Sequence, residues 1–89
     1  MVRALRRAEA FHRAGADMLF VEAPRSRDDL ARLVGALGTK LPLLANMVEG
    51  GGQTPVLPPD ELQKLGFNMV AYPVTVLFRV ARGVTKELQ

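Results

Sequence analysis

The strongest constraint on the fold is a unit that the chain uses three times: an amphipathic helical stretch, a glycine, a short apolar run, then a polar or aromatic residue. The glycines are Gly15, Gly38 and Gly66, spaced 23 and 28 residues apart. Before the first, Leu5, Ala8 and Phe11 recur at helical spacing with arginines on the opposite face. Before the second, Ser26 offers an N-cap with Asp28 and Asp29 in the first turn, and Leu30, Leu33, Val34 and Leu37 form the stripe. Before the third, Pro58-Pro59-Asp60-Glu61 opens a short helix carrying Leu62 and Leu65. Beyond Pro73, Leu77, Val80 or Ala81, Val84 and Leu88 outline a final helix.

The apolar runs between these helices predict strands near 17–22, 41–46 and 69–72. Runs that are apolar on both faces belong to parallel strands covered by helices. Alternation at this spacing argues for βα units joined by right-handed crossovers, which both a TIM barrel and an open doubly wound sheet satisfy. A barrel needs eight strands and about 250 residues, so three units cannot close one. Alone they leave bare strand edges. The expectation is therefore that residues 1–89 are a single segment: the last three βα units, and so the C-terminal part, of an incomplete TIM (β/α)8 barrel.

Composition narrows the function classes. The chain has 89 residues, 48% of them hydrophobic, which suits a packed domain and not disorder. It contains no cysteine, which excludes disulfides and thiolate metal sites within it. No apolar run approaches the roughly 20 residues of a membrane span, and no hydrophobic block follows Met1-Val2-Arg3 as a signal peptide requires. A cytoplasmic protein with no membrane partner is the expectation. The net charge of +3 is concentrated early, with Arg3, Arg6, Arg7 and Arg13. Stacking aromatics are scarce and no nucleic-acid motif is present, so the arginines read as a solvated helix face and no nucleic-acid partner is expected.

In parallel α/β folds functional groups collect at the C-terminal ends of strands. Glu22, Asn46 and Tyr72 hold those positions and would point into one mouth. Each also has a purely structural reading: Glu22 paired with Arg25, Asn46 capping a turn, Tyr72 as an aromatic plug. Gly50-Gly51-Gly52 is not a P-loop, because no Lys-Ser/Thr pair and no immediate helix follow. It reads as a turn that lets backbone approach a small ligand. His12, alone in an arginine-rich helix, reads as a surface residue.

The stretches AGADMLFVEAP (14–24), LLANMVEGGGQTP (43–55), ELQKLGF (61–67) and VAYPVTVLFRVARG (70–83) together resemble the isocitrate lyase / phosphoenolpyruvate mutase superfamily. The resemblance is closest to the branch of methylisocitrate lyase, 2,3-dimethylmalate lyase, oxaloacetate decarboxylase and carboxyphosphonoenolpyruvate phosphonomutase. It implies a Mg²⁺-dependent carbon–carbon lyase, or a related phosphonomutase or decarboxylase, acting on small hydroxy or oxo carboxylates through an enolate-like intermediate. It implies Glu22 as the catalytic glutamate and Asn46, Gly50, Gly51, Tyr72 and Pro73 as substrate-binding positions. The family's metal-binding aspartates, and its mobile cysteine loop, lie on earlier strands, so no direct metal ligand is expected here. The whole protein is expected to be a homo-oligomer, and the isolated chain to be inactive. The alternative expectation is a non-catalytic truncated piece that needs a partner chain.

Overall fold

The computed structural model describes residues 1–89. Helices and strands alternate as α1 (Val2–Arg13), β1 (Leu19–Phe20), α2 (Arg27–Leu37), β2 (Leu43–Asn46), α3 (Pro59–Leu65), β3 (Met69–Ala71) and α4 (Thr75–Glu87). The three strands form one parallel sheet in the order β1-β2-β3. This is an open α/β sheet of three βα units, with an unpaired edge at β1 and another at β3. No helix is long and apolar enough to cross a membrane.

Two junctions are built alike. After α1, Gly15 takes φ 103° while its N–H reaches His12 O and the Ala16 N–H reaches Phe11 O. After α3, Gly66 takes φ 115° while its N–H bonds Gln63 O and the Phe67 N–H bonds Leu62 O. Both are left-handed glycine stops with the crossed hydrogen bonds of a Schellman motif, which a side chain at the glycine would strain. The second stop differs: Gly38 keeps a right-handed φ of −64°.

At the start of α2, Ser26 Oγ accepts the Asp29 N–H at 3.0 Å, and the Asp29 carboxylate accepts the Arg25 N–H at 3.1 Å. The reciprocal pair satisfies two otherwise free donors and sets two carboxylates against the positive end of the helix dipole. The helix then buries Leu30, Leu33 and Leu37 against Leu43, Ala45, Met47, Leu62 and Phe67.

Burial alternates along β2: Leu43 and Ala45 are buried, Leu44 and Asn46 are not. The helices thus cover one face of the sheet. On the other face Phe20 (47% exposed) and Met69 (50%) flank Leu44 in register and have nothing over them. Strand β1 has two residues where a run of six was expected, because it pairs on one side alone and pairing ends at Phe20.

Helix α4 stands away from the body. Every residue from Val76 to Gln89 is exposed, including the stripe residues Leu77, Val84 and Leu88. The radius of gyration is 15.4 Å and the longest axis 53 Å against 23 and 21 Å, where a compact chain of this length has about 12 Å.

Candidate functional site

Parallel register decides which side chains meet. Leu19 pairs with Leu43 and Phe20 with Leu44, and the pairing ends there, two residues before Glu22. Asn46 in turn pairs with Ala71. Asn46 and Ala71 therefore form one level at the C-terminal edge of the sheet, one step above the apolar level of Phe20, Leu44 and Met69, and Glu22 lies just past the end of β1. Side chains two apart on a strand share a face, so Asn46 lies with Leu44 on the uncovered face.

Both groups are free. The Glu22 carboxylate is exposed and makes no ion pair, with Arg25 or any other cation. The Asn46 amide is half-buried and makes no hydrogen bond within the protein, so it caps no turn. An amide at the end of β2 and a carboxylate just past the end of β1, with no protein partner for either, are each free to bind a small polar ligand.

Tyr72 goes elsewhere. It follows Ala71 and so alternates to the helix-covered side, where it packs against the core, and its hydroxyl donates to Leu57 O at 3.0 Å. Tyr72 is not brought together with Glu22 and Asn46; it pins the loop that follows β2. Pro73 is exposed in the turn before α4. Gly50 and Gly51 lie in the loop after Asn46 with φ of 77° and 138°. The open side of Gly51 has no atom near it, but the Phe78 ring lies on Gly50, 2.9 Å from where a Cβ would be. The glycine there admits an aromatic ring of the chain itself.

Two features had escaped sequence reasoning. Glu49, without a role in the sequence pattern, accepts a hydrogen bond from the Thr75 hydroxyl and ties the glycine loop to the first turn of α4. His12 is half-buried, with its Nδ1 shielded and unpartnered. Nothing in the local sequence marks the Glu49 contact, because Thr75 lies 26 residues away.

The chain contains no group of three or more His, Cys, Asp or Glu side chains able to hold a metal ion. A single free carboxylate such as Glu22 does not make a Mg²⁺ site. These residues by themselves do not fit the metal that the family resemblance implies.

Comparison with known proteins covers the whole chain. The family model described as phosphoenolpyruvate phosphomutase matches residues 1–89. A probable 2-methylisocitrate lyase of Corynebacterium glutamicum is 45% identical over 84 residues, which are 94% of this chain and 26% of that protein. The chloroplastic carboxyvinyl-carboxyphosphonate phosphorylmutase of Arabidopsis thaliana is 40% identical over 86 residues, covering 97% of this chain and 24% of that one. Among solved structures, 2,3-dimethylmalate lyase, a PEP mutase/isocitrate lyase superfamily member, superposes with a TM-score of 0.89 at 30% identity, over 97% of this chain and 30% of that one. The chain spans about a quarter of the length of the relatives it matches.

Proposed function

Because the chain belongs to the phosphoenolpyruvate phosphomutase family, we propose that it forms one wall of the active site of a carbon–carbon bond lyase, or of a related phosphonomutase or decarboxylase, acting on small hydroxy or oxo carboxylates. Residues 1–89 are, on this reading, the C-terminal three βα units of a TIM barrel, with the uncovered face of the sheet as part of its interior. The observation that carries it is that Asn46 ends β2 on the uncovered face without a protein partner, with the exposed and unpaired Glu22 just past the end of β1.

The roles follow from the chemistry of the groups. The Asn46 amide N–H donates to a substrate carboxylate, and a hydrogen bond to a charged acceptor is among the stronger kinds. The Glu22 carboxylate accepts from a substrate hydroxyl or from water and so orients the group beside the bond that breaks. Backbone N–H groups at Gly50 and Gly51 serve the same anion; Tyr72 and Pro73 support the wall by holding the loop and the exit of β3. Mg²⁺ remains part of the proposal for the whole protein, with its ligands outside these residues. A cytoplasmic location and homo-oligomeric assembly complete the reading.

The test is a chimera. The 89 residues replace the matching segment of the Corynebacterium glutamicum 2-methylisocitrate lyase, and turnover of 2-methylisocitrate is measured. The chimera is expected to be active, with Asn46→Ala and Glu22→Gln each lowering kcat/KM about 10- to 100-fold, the equivalent of one charge-assisted hydrogen bond. A folded chimera whose activity ignores both substitutions would sink the assignment. The 89-residue chain alone is expected to show no turnover, since Glu22 and Asn46 position a substrate but do not stabilise enolate charge.

A second reading, a non-catalytic piece that packs with a partner chain, is supported by the two unpaired sheet edges and the exposed stripe of α4. Size-exclusion chromatography with circular dichroism separates the two: a cooperatively melting monomer would count against the need for a partner.

A further inference from the structure

Beside α4 lies an open groove of about 500 Å³, lined by Thr75, Phe78, Arg79, Arg82, Gly83 and Lys86 of the helix and by Glu49 of the loop after β2. Arg79, Arg82 and Lys86 recur at i, i+3 and i+7, so they stand on one face of α4. None takes part in an ion pair. Like charges at these spacings weaken a helix, and here three of them face the same groove. The one anion on its wall, Glu49, already accepts the Thr75 hydroxyl. Three positive charges are thus set against one negative along an exposed helix, which the Phe78 ring on Gly50 ties to the glycine loop.

We propose that this groove binds a small elongated polyanion. Arg79 and Arg82 present planar donor forks that match carboxylate or phosphate oxygens bidentately. Lys86 supplies a third cation one turn further along, about 10 Å from Arg79 along the helix axis. The occupant therefore carries at least two anionic groups several ångströms apart, as a tricarboxylate or a diphosphate does. A ligand there bridges the loop after β2 and α4, adding a link to the one that Glu49 and Thr75 make.

The experiment is calorimetric titration of the 89-residue chain with citrate and with pyrophosphate, at constant ionic strength set with a monovalent salt. Saturable binding is expected for at least one of them, and the preferred probe separates a carboxylate source from a phosphate source. Arg79→Gln/Arg82→Gln should weaken binding at least tenfold, whereas Arg3→Gln/Arg6→Gln on α1 removes the same charge and should leave it within twofold. In wild-type protein, amide NMR shifts induced by the probe should fall on residues 49–52 and 75–86, which tests the site even where a variant's helix is disturbed. Absence of saturable binding to either probe, equal loss in both double variants, or shifts centred on α1 would each overturn the proposal.

Discussion

Asn68 holds Leu43 twice: its backbone N–H donates to Leu43 O at 3.0 Å, and its side-chain Oδ1 accepts the Leu43 N–H at 3.1 Å. The amide side chain thereby takes the place of a backbone partner at the first rung between β2 and β3, where Asn68 precedes the strand. Asn68→Ala leaves the half-buried Leu43 N–H without its acceptor. The expected cost is about 1–2 kcal/mol in the free energy of unfolding, read from urea titration. An unchanged midpoint would show that water replaces the bond at no cost.

Two glycines should respond with opposite signs. At Gly66 a Cβ would meet Val34 Cγ1 at 2.6 Å, at a φ of 115°. Gly66→Ala should therefore destabilise by about 1–3 kcal/mol. Gly35 lies inside α2 with open space where a side chain would go. Gly35→Ala should stabilise by up to about 1 kcal/mol, because alanine leaves less backbone freedom to lose on folding. Thermal melts of the pair settle both signs.

Tyr72→Phe and Asn46→Ala separate support from ligand contact. Removing the Tyr72 hydroxyl frees Leu57 O and should lower stability by about 1 kcal/mol, with carboxylate turnover in the chimera altered less than threefold. Asn46→Ala breaks no hydrogen bond within the protein and should do the reverse, leaving the melting curve in place and lowering turnover. Matching effects in both variants would mean that the two residues share one role.

Ser26→Ala removes the acceptor for the Asp29 N–H at the start of α2. A loss of about 1 kcal/mol is expected by chemical denaturation. Ser26→Asp should restore most of it, since a carboxylate caps as well and adds favourable charge at the helix start.

Helices and strand order were readable because they rest on local signals: the spacing of Leu30, Leu33 and Leu37, the cap at Ser26, the stops at Gly15 and Gly66. The placing of Glu22 and Asn46 was half readable. Both end apolar runs, but the face that Asn46 takes emerges only from the register between strands. Tyr72 misled for the same reason. It ends a run as they do, yet sits one residue later in phase and turns to the opposite side, where Leu57 O receives it. The stripe of α4 shows a different limit. Periodicity states which face of a helix favours burial and not what covers it, and in this structure Leu77 and Leu88 stay exposed. Glu49 needed Thr75, which is 26 residues away and leaves no trace in the spacing.

The 24-residue offset that aligns Leu19 with Leu43 also works as a reading frame. A strand repeats every two residues, so removing a single residue between Phe20 and Leu43 while the helix stays packed would rotate Asn46 to the leucine-lined side and put Met47 in its place. Length change in that interval is therefore tolerable only where a loop absorbs it before the strand begins. Loss of one codon there would take Asn46 off the uncovered face without altering the residue, whereas the glycine loop, lying beyond Asn46, can vary in length and leave it in phase.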